Sequence, residues 1–326
     1  MITRTLSPSV VDFRGEFDML ASMMQESWAE NPNPPLRYTQ CFLRSIFEYP
    51  GSTFALAPTV YKMDQKGILG FVAGFPRFAV WEGKPTKLVL ISFLTAAKSV
   101  KGSGLGLLLL VDLVNRAREE GFDGVINFCV EGDGMDKCMP YFSRAMCLNT
   151  ERIFTVNYLV RLLHSKGPLR DERIDDSDID LFLELSANIN ADVKLSRVWS
   201  RAEADWQCRE RAGSITISLR NGQHAGMITG YIMEDGSNAQ VRVAILDDIL
   251  WGDLSEAERE QLLDRFLRVA AFRGARIATC PVLGCASLTP LESLRFRRSG
   301  RVLHTYLTLW NGMQPSLVEK LYLDIL

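Results

Sequence analysis

Three glycines fall within six residues, Lys101-Gly102-Ser103-Gly104-Leu105-Gly106, at the junction of two apolar segments. Ahead of them Lys87 to Ala97 reads as a buried strand. Behind them Leu107 to Glu120 reads as a helix, stopped by Gly121. A strand, a glycine turn and a helix together aim several backbone N–H groups and a positive helix end at one point, an arrangement suited to a phosphate. Glycine is needed because a Cβ would hold the anion away from the amides. The segment therefore predicts an α/β chain that binds a phosphate-bearing ligand near residue 101.

Two common phosphate loops do not fit. The dinucleotide pattern G-x-G-x-x-G fails at Leu107 when counted from Gly102 and at Leu109 when counted from Gly104. The P-loop fails because Leu107 follows Gly106 where lysine is required. The remaining spacing, a basic residue or Gln followed by x-x-G-x-[GA], is met by Lys101, Gly104 and Gly106. It resembles the pyrophosphate loop of the GCN5-related N-acetyltransferase (GNAT) superfamily. After the helix, Gly124 to Val130 reads as a strand, and Tyr141 follows in Met139-Pro140-Tyr141-Phe142-Ser143-Arg144-Ala145-Met146. The order of elements is again similar to GNAT enzymes. Ala145-Met146 replace the family's Gly-Phe, Gly134 replaces an asparagine, and Lys101 stands for the usual Arg or Gln.

The resemblance implies acyl-coenzyme A (acetyl-CoA or a longer acyl-CoA) as co-substrate, held by Lys101, Gly102, Ser103, Gly104, Leu105 and Gly106. It also implies backbone contacts to pantetheine and oxyanion around Thr95, Ala96 and Ala97. An amine would attack the thioester directly, and Tyr141 would protonate the departing thiolate. Reference acidities make that transfer uphill by about 2 kcal/mol, within reach of general acid catalysis. For the base, Glu131 is the nearest carboxylate, followed by Asp133 and Asp136. The histidines His164, His224 and His304 lie in the expected linker or second half and read as surface or packing residues.

The chain also reads as written twice. Residues 1–163 give two helices, three strands, a long helix, a strand, a short helix and closing strands. A polar linker occupies 164–176, and 177–326 repeat the order. In the second copy Leu291 takes the place of Tyr141, and Trp251-Gly252-Asp253-Leu254 takes the place of the glycine turn. The expected architecture is α/β (α+β), with two GNAT-like domains, each a mixed, mostly antiparallel sheet flanked by helices. Only the first would carry an acyl-CoA site, and the layout is similar to tandem GNAT proteins such as N-myristoyltransferases. The second, degenerate copy would shape the acceptor side.

Composition sets the outer bounds. The 326 residues are 47% hydrophobic and 23% charged, which suits a globular protein with ample core. A net charge of −2 gives no electrostatic footprint for nucleic acid or an anionic membrane. Seven cysteines without metal-type spacing read as reduced thiols of a cytoplasmic protein, with no metal expected. The expected acceptor is an amine of a small metabolite or a peptide. The three-proline segment 30–35 should border it, with Trp28, Tyr38, Phe75, Phe78 and Trp81 as candidate apolar lining. A non-catalytic acyl-CoA-binding protein on a decayed GNAT scaffold is the alternative.

Overall fold

The computed structural model describes residues 9–29, 36–164, 174–189, 191, 193–236 and 240–325. The proline segment 30–35 and most of the expected linker, 165–173, lie outside the described residues.

The first half runs β1 (Val11–Asp12), α1 (Phe17–Trp28), α2 (Gln40–Phe47), β2 (Pro58–Tyr61), β3 (Ile68–Trp81), β4 (Lys84–Ala96), α3 (Leu105–Glu119), β5 (Gly124–Val130), α4 (Gly134–Met146) and β6 (Asn149–Leu162). The second half runs α5 (Asp176–Ile189), β7 (Leu195–Arg197), α6 (Arg201–Asp205), β8 (Ser214–Asn221), β9 (His224–Glu234), β10 (Arg242–Leu250), α7 (Glu256–Phe272), β11 (Ala275–Val282), α8 (Thr289–Ser293), β12 (Arg297–Leu309) and β13 (Leu321–Tyr322). The two short strands β7 and β13 have no counterpart in the sequence reading. They are too brief for a period-two pattern to register.

Both halves repeat one pairing pattern. Strands β2, β3 and β4 pair antiparallel, and β4 then pairs parallel with β5 across α3. Likewise β8, β9 and β10 pair antiparallel, and β10 pairs parallel with β11 across α7. The closing strands exchange partners. β12 inserts between β5 and β6, while β6 pairs on its other side with β11. The order is thus β1-β2-β3-β4-β5-β12-β6-β11-β10-β9-β8 in one continuous sheet. The expected halves 1–163 and 177–326 therefore each complete their sheet with a strand of the other.

Helix α3 shows how sequence sets this frame. Leu105, Leu109, Leu113 and Ala117 recur at helical spacing and are buried. They lie on β3 where Gly70 and Gly74 leave room. A Cβ on Gly70 would stand 2.7 Å from Leu105 Cδ2, and one on Gly74 would stand 2.9 Å from Leu113 Cδ1. Small residues in the strand thus seat the helix and fix where its N-terminus points.

A buried ion cluster ties the halves together. Arg77 of β3 pairs with Asp324 at 2.6 Å, and Arg197 of β7 reaches both Asp324 and Glu203. Tyr49 bonds to Glu203 and Arg197 in the same cluster. Burial disfavours the Asp324 carboxylate, but Arg197 and Arg77 outweigh it and hold its pKa below the usual carboxylate range.

Candidate active site

After β4 the chain makes one 3-10 turn, Lys98–Val100, then the glycine turn, and α3 begins at Leu105. Gly102 and Gly104 have φ of +82° and +83°, left-handed values that favour glycine, with open space where a Cβ would project. Residues 101–104 are exposed. Gly104 is the N-cap and supplies no side-chain cap, and the first turn of α3 contains no acid. The Leu105 amide donates to Ser103 Oγ at 3.4 Å, and Leu108 N–H is the first to reach back to Gly104 O, at 3.1 Å. The Gly106 and Leu107 amides belong to the first turn, which has no intrahelical acceptors. This helix end is open and positive.

Beside it the sheet divides. β4 and β5 pair only from Leu88↔Gly124 to Ile91↔Asn127. Immediately beyond, β4 carries a bulge: Ser92 faces Ala73 and Thr95 faces Phe71, so Phe93 and Leu94 together oppose Val72. Phe93 is held at φ +61°, a strained setting for a bulky residue that costs on the order of 1–3 kcal/mol. Its ring is locked against Tyr38, with centroids 5.1 Å apart. A chamber of about 460 Å³ opens at this division, bordered by Ile91, Ser92, Phe93 and Leu94 on β4 and by Asn127 to Val130 on β5.

Thr95, Ala96 and Ala97 lie on the backbone between this chamber and the glycine turn. The Ala97 amide is already taken, donating to Leu69 O at 2.7 Å. Because successive amides of a strand face opposite edges, the Ala96 amide faces the edge that β5 has left. Thr95 Oγ1 and Asn127 Oδ1 are buried and have no hydrogen-bond partner among the described residues. Such atoms in a native wall call for a ligand or water. Asn127 was not among the residues singled out in the sequence.

Tyr141 is not brought to the chamber. Helix α4 turns Met139 and Phe142 inward and Met135 to the chamber, while Tyr141 is 61% exposed beneath the Arg144 guanidinium. The apolar spacing Met135, Met139, Phe142, Met146 already leaves Tyr141 off the buried stripe. Tyr141, expected beside the thioester, is thus not among the residues that line this chamber.

Glu131 is also exposed, with its carboxylate 3.6 Å from His304 Nε2. His304 is not a surface residue. Strand β12 carries it beside β5, 7% exposed, with Nδ1 2.9 Å from Asp136 Oδ1. Tyr306 donates to the same oxygen at 2.8 Å, and Arg152 Nη1 lies 3.4 Å from His304 Nε2. Burial works against the Asp136 carboxylate, but bonds from the Gly132 amide, His304 and Tyr306 prevail and lower its pKa. Asp133, which lines the chamber and accepts the Asp136 amide at 2.7 Å, is shifted upward, mainly by burial.

The chamber continues into the second half. Trp28 and Tyr38 form one side, as the sequence suggested, and Tyr231, Asp247 and Ile277 of β9, β10 and β11 form the other. Phe75 and Trp81 are core, and Phe78 is half exposed.

The sequence matches no known family profile, and no curated protein matches it at a significant level. In three dimensions it is similar to Saccharomyces cerevisiae N-myristoyltransferase crystallised with bound myristoyl-CoA. That match covers 95% of this chain and 80% of the other, with TM-score 0.72 at 13% identity. A GCN5-related N-acetyltransferase from Anabaena variabilis matches over 91% of this chain and 71% of its own, with TM-score 0.52 at 12% identity. One from Kribbella flavida matches over 93% and 70%, with TM-score 0.51 at 15% identity. The fold is one shared with these N-myristoyltransferase and GCN5-related N-acetyltransferase structures.

Proposed function

We propose that the chain is an acyl-CoA-dependent N-acyltransferase with one donor site, in its first half. The observation that carries this reading is the uncapped N-terminus of α3 beside the divided strands β4 and β5. Lys101 and the Gly102–Gly106 backbone would hold the pyrophosphate, and the Thr95–Ala97 stretch would carry pantetheine toward the bulge at Phe93. The thioester would then face the chamber, where an amine of a small molecule or peptide enters from the side shared with the second half. Preorganised amides at the bulge would stabilise the oxyanion as the carbonyl is attacked. The chain would work in the cytoplasm. Among the described residues no helix is long and apolar enough to cross a membrane.

The outward setting of Tyr141 favours one rival reading, a protein that binds acyl-CoA without turning it over. Two measurements separate them. Calorimetric titration should find one acetyl-CoA per chain, and a free-thiol assay with a panel of amines should find CoA release. Binding without release would leave the rival standing, and absence of binding would defeat both.

A further inference from the structure

We propose that the chamber wall built by the second half is a subsite for an alkylammonium group, carried by the acceptor and docked on the free oxygen of Asp247. This rests on the reading of the chamber as the acceptor compartment. The site itself is visible in the geometry of the wall.

Asp247 is the bulge residue of β10. Leu246 faces Gly230 and Asp248 faces Thr229, so Asp247 is the extra residue between them. A bulge re-aims the side chain it carries. The same strand of the first half is bulged at Phe93, beside the divided sheet. Both bulge residues, Phe93 and Asp247, line the same chamber.

The carboxylate of Asp247 is 5% exposed. Both of its hydrogen bonds fall on Oδ2, from Arg211 Nη1 at 2.6 Å and from Gln207 Nε2 at 2.8 Å. Among the described residues Oδ1 receives none. An ionised carboxylate accepts at both oxygens. Asp247 borders the chamber, so a donor placed there completes its shell. Arg211 also lies 3.5 Å from the centre of the Tyr231 ring, which fixes the pair against the wall.

A cation fits better than a neutral donor. Among the described residues the charged side chains at the chamber are Asp133, Asp235 and Asp247 against Arg301, with Arg211 paired to Asp247. This leaves an excess of acid. Tyr38 and Tyr158 add rings, which attract ammonium groups, while the face of Tyr231 is taken by Arg211. Burial pushes all three phenols upward, so they stay neutral and contribute no competing charge. Carboxylate and aromatic walls in one apolar chamber suit an amine on an alkyl stem.

The test titrates the full chain with hexylamine and with hexan-1-ol, its uncharged counterpart, by calorimetry. The amine should bind at least tenfold more tightly than the alcohol, and Asp247→Asn should close that gap. A lysine-containing peptide compared with its norleucine counterpart shows whether the ammonium is peptide-borne or free. Equal affinities in the unaltered chain overturn the subsite, as does a gap that survives Asp247→Asn. If Asp247→Asn does not fold, the amine and the alcohol compared on the unaltered chain decide. Acetyl-CoA titrated into the same sample separates the two readings. CoA binding without amine selectivity defeats the subsite alone, and amine selectivity without CoA binding defeats the donor site alone.

Discussion

Helices α3 and α7 occupy the same place in the two halves, each following the strand that pairs parallel with the next, yet their N-termini are opposites. At α3 the cap is a glycine with open space around it, and the first turn carries no acid. At α7 the first turn carries Glu256 and Glu258, and Glu258 Oε2 accepts both the Ser255 amide and its hydroxyl, at 2.8 and 2.7 Å. Bonds from Asn221 and Ser255 lower the Glu258 carboxyl to about 2, so a fixed negative charge sits at that helix end. The glycine before it, Gly252, is packed: a Cβ there would stand 2.0 Å from Ala225 O. One fold thus leaves this helix end open once and fills it with its own carboxylate the second time. A helix dipole is a site only where side chains leave it unpaired.

The comparison assumes a frame that holds both ends in fixed relation, and breaking the frame should have the largest effect. Asp324→Ala leaves Arg77 and Arg197 buried without their shared partner. It should cost about 3–5 kcal/mol in urea unfolding, with donor and acceptor defects appearing together. A loss under about 1 kcal/mol would mean the surface-like case and would remove the cluster as a link between the halves.

The next effect acts on one end only. Gly104→Val puts a β-branched residue at φ +83° in the cap of α3. Acetyl-CoA affinity should fall more than tenfold by calorimetry while the circular dichroism spectrum stays unchanged. Glu258→Gln at α7 should leave the stoichiometry at one. Undiminished affinity in Gly104→Val would sink the donor assignment, and a second CoA in Glu258→Gln would show that charge alone closes the second end.

A smaller effect distinguishes the cores. Burial, then the neighbouring Asp247, pushes Asp248 up to about 7. Between its ordinary value near 4 and about 7 the folded state holds the proton that the unfolded state releases. Stability should therefore be greatest at the acid side of this window and decline as pH rises through it. Melting temperatures across that range should show the decline in the parent chain and a flatter curve in Asp248→Asn. Identical slopes would exclude Asp248 as its source.

The smallest effect is expected at Tyr141, which lies off the chamber. Tyr141→Phe should keep kcat within about twofold, well short of the loss of a general acid. A hundredfold fall in thiol release would return the acid role to it and imply that α4 rotates when CoA binds.

Particular residues show why some of this was legible and some was not. The strand Gly124–Val130 and the helix Leu105–Glu119 fall where the apolar patterns put them, to within two residues, because period and turn chemistry are written locally. His304 was read as a surface or packing residue, and β12 alternates, with His304, Tyr306 and Thr308 on one face and Leu303, Leu307 and Leu309 on the other. The alternation was in the sequence. The identity of the facing residue was not, because Asp136 lies far away in the chain and meets His304 only through strand exchange.

The sequence by itself determined the elements, their repetition and the glycine turn, since each depends on backbone preferences within a few residues. Only the tertiary structure decided which strand closes which half. A free strand edge accepts any antiparallel partner of matching register, so β6 and β12 are specified by packing across the whole sheet. That choice set His304 on Asp136 and brought the two bulges, Phe93 and Asp247, to the lining of one chamber. These are contacts between residues remote in sequence, and no local pattern encodes them.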